Sequence, residues 1–266
     1  ERSVVGLGPK NPEPLLTLIH LSDLHICDAQ APTRLEFIDR MADPGHPMQP
    51  ILHYIGTYRA QEFLTVQVLE AMVQSVNKIE KGPLTGKEID AVIVTGDVTD
   101  NAQLNELNWY KTLLDGGEVN PNSGLPEVWE GAATADASKY DRSYWNPEGT
   151  PNGEMDDFPR SLYGFPTIPG LMKAIMRRFR ANGLIHKWLA VHGNHDAMLQ
   201  GTVPPDPFLH EFVIGNSRVA KLKEDADLTE IFSDYQMVGP ATYPPTSVAV
   251  LSEITPDESR RFIDRN

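Results

Sequence analysis

The chain has 266 residues, which suits one large domain or a core domain with a sizeable insertion. Its formal charge of −14, from 23 Lys and Arg against 37 Asp and Glu, repels polyanions and argues against broad contact with nucleic-acid backbone. A single cysteine, Cys27, excludes an intramolecular disulfide, and no apolar run approaches the roughly 20 residues needed to span a bilayer.

Residues 1–14 read as an extended, proline-rich lead-in. Glu1 is not an initiator methionine and nothing near it resembles a signal peptide, so the natural N-terminus and any targeting information are expected to be missing. Residues 15–266 form the expected core. Leu15–Leu21 has the pattern of a strand buried on both faces, with Ser22 to His25 at its C-terminal end. A Pro- and Gly-rich loop follows from Ala31 to about Gly56. Phe63, Val66, Leu69, Met72, Val73, Val76 and Ile79 then recur at helical spacing, predicting an amphipathic helix of about five turns that stops at Gly82-Pro83. Ile89–Thr95 is a second apolar strand ending in Gly96-Asp97. Strand, helix, strand argues for a parallel pair.

The stretch from about 113 to 170 is crowded with Gly, Pro, Asn and Asp, yet it carries Trp129, Tyr140, Tyr144, Trp145, Phe158, Tyr163 and Phe165. A disordered linker rarely holds so many aromatics, so this is an ordered insertion. Its aromatics form its own small core or, alternatively, a lid over a ligand. Leu171–Ala181 reads as a helix ending at Asn182-Gly183. Trp188–Val191 is a third short strand. Thr255-Pro256-Asp257-Glu258 has the capping pattern of a new helix eight residues before the last residue, which leads us to expect that more protein follows Asn266.

Three short motifs lie where predicted strands give way to loops: Asp23-Leu24-His25, Gly96-Asp97-Val98-Thr99-Asp100 and Gly193-Asn194-His195-Asp196. In an open α/β sheet the C-terminal strand ends converge on the ligand crevice. Three strands would thus bring Asp, His, Asp, Asn and His to one place. These are hard or borderline donors, suited to Mn, Fe or Zn. Asp-x-His in an extended segment puts both side chains on one face, within reach of one ion. A carboxylate such as Asp97 can bridge two cations, and glycines before Asp97 and Asn194 suit sharp turns directly after a strand. Two metals about 4 Å apart would clamp a phosphoryl group and turn a bound water into a nucleophile.

These motifs, in this order, resemble the first three of the calcineurin-like metallophosphoesterase superfamily, D-x-H, G-D-x-x-D and G-N-H-D/E, over most of residues 15–196. The resemblance implies an α/β sandwich of two mixed β-sheets flanked by helices, with its first half present here. It implies hydrolysis of a phosphate monoester or diester by a metal-activated water, on a small phosphorylated substrate, with two divalent or trivalent transition-metal ions. By the family pattern Asp23, His25 and Asp97 hold the first metal, and Asp97 and Asn194 belong to the second. His195 protonates the leaving oxygen with Asp100 orienting its imidazole; Asp196 and Asn101 support from behind. The wide motif spacing, with segments such as Cys27–Gln30 and Asp100–Gln103, resembles a long-insert bacterial subgroup commonly exported by the twin-arginine route; a cytoplasmic location is the alternative.

One departure matters. The superfamily completes its site with a later isolated His and a G-H-x-H motif, whereas downstream of Asp196 this chain has only His210. On that pattern the 266-residue chain is expected to be inactive, or nearly so, through truncation. The competing expectation is a non-catalytic binding or scaffold protein that keeps part of a dinuclear site. Cys27, just past the first motif, is expected to be a small buried residue rather than a ligand. The marks of serine hydrolases, P-loop kinases, dinucleotide oxidoreductases and zincin proteases are absent from the sequence.

Overall fold

The apolar runs are short strands and amphipathic helices that alternate along the chain. In order these are β1 (Leu18–Leu21), α1 (Glu36–Asp39), α2 (Gln49–Leu52), α3 (Thr65–Val76), β2 (Ala91–Val94), α4 (Leu104–Asp115), β3 (Gly117–Val119), α5 (Phe158–Tyr163), α6 (Leu171–Ile175), β4 (Phe179–Ala181), β5 (Trp188–Ala190), α7 (Pro207–Ile214), β6 (Ser217–Leu222) and β7 (Ala249–Glu253). This computed structural model describes residues 13–133, 137–201, 207–223 and 249–263. Most of the expected lead-in and the last three residues of the expected terminal helix lie outside them. The described residues form a mixed α/β protein with three small sheets, and no helix among them is long and apolar enough to cross a membrane.

The three predicted strands pair in parallel in the order β1-β2-β5, with Leu18 opposite Ala91 and Val92 opposite Trp188. Side chains alternate between the faces of a strand. Leu21, Val92 and Val94 therefore turn to one side and bury against Val66, Leu69 and Val73 of α3 and Trp109, Leu113 and Leu114 of α4. The opposite face is not covered among the described residues. It presents Leu18, His20 and Leu189, all exposed, and Leu15 just before β1 is 94% exposed. The expectation that Leu15–Leu21 is buried on both faces is thus corrected: among the described residues, helices cover one face of this sheet and Leu15, Leu18 and His20 are exposed.

Helix α3 is shorter than its apolar spacing predicts. Glu62–Leu64 is a 3-10 turn, and the helix ends at Val76 because the Asn77 side chain is engaged elsewhere. It donates to the Gly183 carbonyl (2.8 Å) and accepts from the Ile185 amide (3.0 Å), so it serves the approach to β5. Helix α4 goes unassigned from the sequence. Its N-terminus is a reciprocal capping box between Gln103 and Glu106, without the usual Ser or Thr.

Two further expectations are corrected. Leu171–Ala181 is helical only to Ile175; Phe179–Ala181 is instead β4, antiparallel to β3. Pairing with β3 outweighs helix propensity there, and the β3–β4 ribbon closes the base of the insertion. No helix starts at Thr255, because its amide (3.0 Å) and hydroxyl (2.9 Å) both donate to Glu130. A 3-10 turn follows at Glu258–Arg260, capped by Asp257, and the Arg260 side chain is buried against Ser123 and the Thr255 carbonyl.

The insertion packs on the body of the protein. Tyr144 and Trp145 are buried with Phe63, Ala60, Met172 and Ile175 in a second apolar cluster. Trp145 stacks on Phe63 (ring centroids 5.3 Å apart), its indole N–H donates to the Pro166 carbonyl (2.9 Å), and its backbone amide donates to the Tyr58 hydroxyl (2.8 Å). Tyr163, by contrast, is exposed. Because Trp145 joins the insertion to the 58–64 segment, Trp145→Ala should lower the unfolding free energy by about 3–5 kcal/mol. Urea denaturation followed by far-UV circular dichroism measures it; a loss below about 1 kcal/mol, the size of an ordinary surface change, would mean that the insertion folds apart from the body.

Candidate metal centre

Three loops meet at the C-terminal ends of β1, β2 and β5, and backbone pairing carries past the strands to align them. The His25 amide donates to the Asp97 carbonyl (2.9 Å), Ile26 to Val98 (2.9 Å), and Asp100 back to Ile26 (3.0 Å). The first two motifs therefore run side by side. The third is fastened by Asp196, whose buried carboxylate accepts from the amides of Val98 (2.9 Å), Thr99 (2.8 Å) and Gly193 (2.8 Å) and from the Thr99 hydroxyl (3.0 Å). Asp97 is fixed from the same side, accepting from the His195 amide (2.9 Å).

So close an approach of two loops leaves no room for side chains at the crossing. A Cβ on Gly96 would lie 2.7 Å from the Cα and N of Gly193, and one on Gly193 would lie 2.2 Å from the Asp97 amide nitrogen and carboxylate. Both motif glycines are thus explained by contact with each other's loop.

Asp23, His25 and Asp97 each offer a donor atom, and the three atoms lie within 4.8 Å of one another. The extended Asp-x-His segment expected from the sequence is corrected: Asp23 (φ 54°), His25 (φ 43°) and Asp97 (φ 49°) all have left-handed backbone. Non-glycine residues rarely adopt it, and such strain persists where the surroundings enforce it, often at functional sites. Here the reason is geometric. Residues 25 and 26 must return to pair with 97–100, so the chain turns sharply after Leu21.

A second group, His25, Asp100 and His195, also lies within 4.8 Å, with the two imidazoles 4.4 Å apart edge to face. Electrostatics distinguish the two groups. Asp100 already accepts from Arg34 (3.1 Å) and Arg59 (3.2 Å), and two guanidiniums repel a cation placed on the same carboxylate. Burial alone would raise the Asp100 carboxyl, but the hydrogen bond from His25 and the two arginines hold it well below the usual carboxylate range. An ionised Asp100 only accepts, so the His25 Nδ1, 3.0 Å away, is the donor, and Nε2 is the ring nitrogen that can face an ion. A carboxylate behind an imidazole is the ordinary support of a metal-ligating histidine. Asp23, His25 and Asp97 are therefore the fitting set for one ion, with oxygen and nitrogen donors suited to Mn, Fe or Zn.

The remaining sequence-derived residues fall in different places. His195 is beside His25, but its Nδ1 is 4.0 Å from Asp100, so the expected orienting bond is not made. Asn194 is exposed at the rim, and its side chain makes no hydrogen bond among the described residues. With Asp97 it gives a second ion too few protein donors, so the residues described do not fit a second metal. His210 sits on α7 with its ring near Phe262 and belongs to neither group. Asn101 faces a buried polar network instead, donating from its side chain to Glu106, which also accepts from the Asp28 amide (2.7 Å).

Cys27 is buried, as expected of a small core residue, and burial pushes its thiol up despite the Arg34 guanidinium beside it. Sequence reasoning missed Arg34, Arg59 and Glu62. Arg34 is buried, binding Asp100 and Glu62 (2.6 Å), and burial pushes the Glu62 carboxyl up to about 8 against that guanidinium. Isolated arginines and a glutamate in an irregular loop and an amphipathic segment have no motif by which to be found.

Gly193→Ala should abolish metal uptake, because its methyl would displace Asp97; Gly56→Ala, whose Cβ comes nearest to the exposed Tyr54 side chain, 3.5 Å from its hydroxyl, should retain it. Elemental analysis of the purified variants measures both. Wild-type metal content in Gly193→Ala would show that the contact between the second and third motifs does not shape the centre.

Compared with known proteins, the chain matches no protein-family model, no curated protein and no solved structure.

Proposed function

We propose that this chain carries the metal-binding half of a phosphoesterase centre that hydrolyses a phosphate monoester or diester. The observation that carries the reading is the convergence of Asp23, His25 and Asp97 with His195 at the ends of three parallel strands. In this reading Asp23, His25 and Asp97 hold a transition metal. Such an ion supplies a Lewis acid for a phosphoryl oxygen and lowers the pKa of a water it binds. His195, beside that cluster and partly exposed, donates a proton to the leaving oxygen. Asp97 keeps the His195 backbone in place through its amide, and Asp196 keeps the loop that carries both. The face of the β1-β2-β5 sheet that no described residues cover supports the finer reading of the fold, a sandwich in which a second mixed sheet packs on Leu18, Ile93 and Leu189.

A second reading has a specific observation in its favour: Asp97 and Asn194 are too few donors for a second ion. On that reading the protein binds one metal without catalysis. Both readings lead us to expect about one tightly held ion per chain. They divide on turnover of p-nitrophenyl and bis-p-nitrophenyl phosphate with added manganese, weak and abolished by chelator on the first reading and absent on the second. On the first reading His195→Ala should depress turnover of alkyl phosphates by about 10² to 10⁴-fold, and that of p-nitrophenyl phosphate much less, because nitrophenolate leaves without a proton. Equal losses on both esters would remove His195 from the proton-donor role.

A further inference from the structure

Asp100 gathers two arginines, and they are not equivalent. Arg34 is buried, its terminal NH groups meeting Asp100, Glu62 and the Cys27 sulfur while its Nε lies 3.6 Å from Glu36 without a hydrogen bond. Arg59 is 44% exposed in its side chain, and Asp100 is its guanidinium's one hydrogen-bond partner among the described residues. A guanidinium has five donors, so most of this one is left to solvent in a protein with a large excess of carboxylates.

Its position is defined by a single atom. Oδ1 of Asp100 lies 3.2 Å from Arg59, 3.0 Å from His25 Nδ1 and 4.0 Å from His195 Nδ1. Arg59 is thus one carboxylate oxygen away from both imidazoles of the centre. Its backbone is held from three sides. The Arg59 amide donates to Glu62 (3.1 Å), Tyr58 packs edge to face on Tyr144 and accepts from the Trp145 amide, and Ala60 is buried in the second apolar cluster. A rigid base under a partly solvated cation is the arrangement that pre-organises a ligand contact. The insertion supplies that base through Tyr144 and Trp145.

We infer that Arg59 is an anion clamp that binds the non-bridging oxygens of a phosphoryl group, favouring a doubly charged phosphomonoester over a singly charged diester. The inference rests on the phosphoesterase reading for the identity of the anion. The guanidinium fork matches two oxygens of a tetrahedral phosphate, and an added negative charge strengthens such a bond.

The test is titration calorimetry of the manganese-supplemented chain with inorganic phosphate and with dimethyl phosphate, for wild type, Arg59→Lys and Arg59→Ala. Metal content and circular dichroism of each protein check that the fold and centre survive. Wild type should bind phosphate about tenfold more tightly than dimethyl phosphate, the difference one charge-assisted contact makes. Arg59→Ala should bind phosphate about tenfold or more weakly and lose the preference. Arg59→Lys, which keeps the charge but not the fork, should fall between them. Equal phosphate affinity in the three proteins, or no binding by wild type, overturns the inference. Phosphate binding that depends on Arg59 in a protein without esterase turnover would sustain the clamp and remove the phosphoesterase reading. Ester turnover with a KM indifferent to Arg59 would do the reverse.

Discussion

The centre depends on one carboxylate. Asp196 accepts four hydrogen bonds from the loops after β2 and β5, more than any other side chain that joins them, and it is buried while doing so. A hydrogen bond to a charged acceptor is worth about 1.5–3 kcal/mol, and an orphaned buried donor costs about as much. The bond network therefore holds the loop after β5 hard against the loop after β2. That closeness in turn admits only glycine at positions 96 and 193 and brings the His195 amide onto Asp97. Packing of β2 against α3 and α4 supplies the platform; Asp196 determines where the loops go once they leave it.

Behind the donors lies a layer of buried charge. Asp100 stands between His25 and two arginines, and Glu62 and Glu36 in turn hold Arg34. The chain continues to Arg218 of β6, which donates to Glu36 (2.9 Å). Buried ion pairs contribute little net stability, since desolvation offsets most of the attraction. Their consequence here is orientation: Asp100 stays ionised, so His25 presents one nitrogen and not the other. The antiparallel β6–β7 pair, far along the chain from the motifs, thus touches the same network.

The insertion is tied to the centre by packing. Trp145 and Tyr144 lie beneath residues 58–63, and Arg59 rises from that segment toward Asp100. An aromatic core of its own and a role at the site are therefore compatible, because one apolar cluster serves both. The open face of the parallel sheet is the opposite case. Leu18 and Leu189 lie on it with no layer above them among the described residues, although β2 between them is shielded on its other side.

The three strands, their parallel direction and the donors at their ends were legible from local pattern: apolar runs of strand length, each followed by polar residues, with a glycine close behind the second and the third. So was the burial of Cys27. Those features depend on residues close in sequence, where periodicity and turn chemistry act. What the sequence left open involves partners far apart. Helix α3 stops early because Asn77 is claimed by residues 183–185, and the terminal helix fails because Thr255 is claimed by Glu130. Residues 179–181 become a strand because β3 offers an edge. The left-handed turns at Asp23, His25 and Asp97, and the choice of Asp100 as partner to His25 and Arg59, follow from loops meeting across separations of 41 to 75 residues. No local pattern encodes such meetings, because hydrogen bonds and sterics across that distance exist only once the tertiary structure has formed.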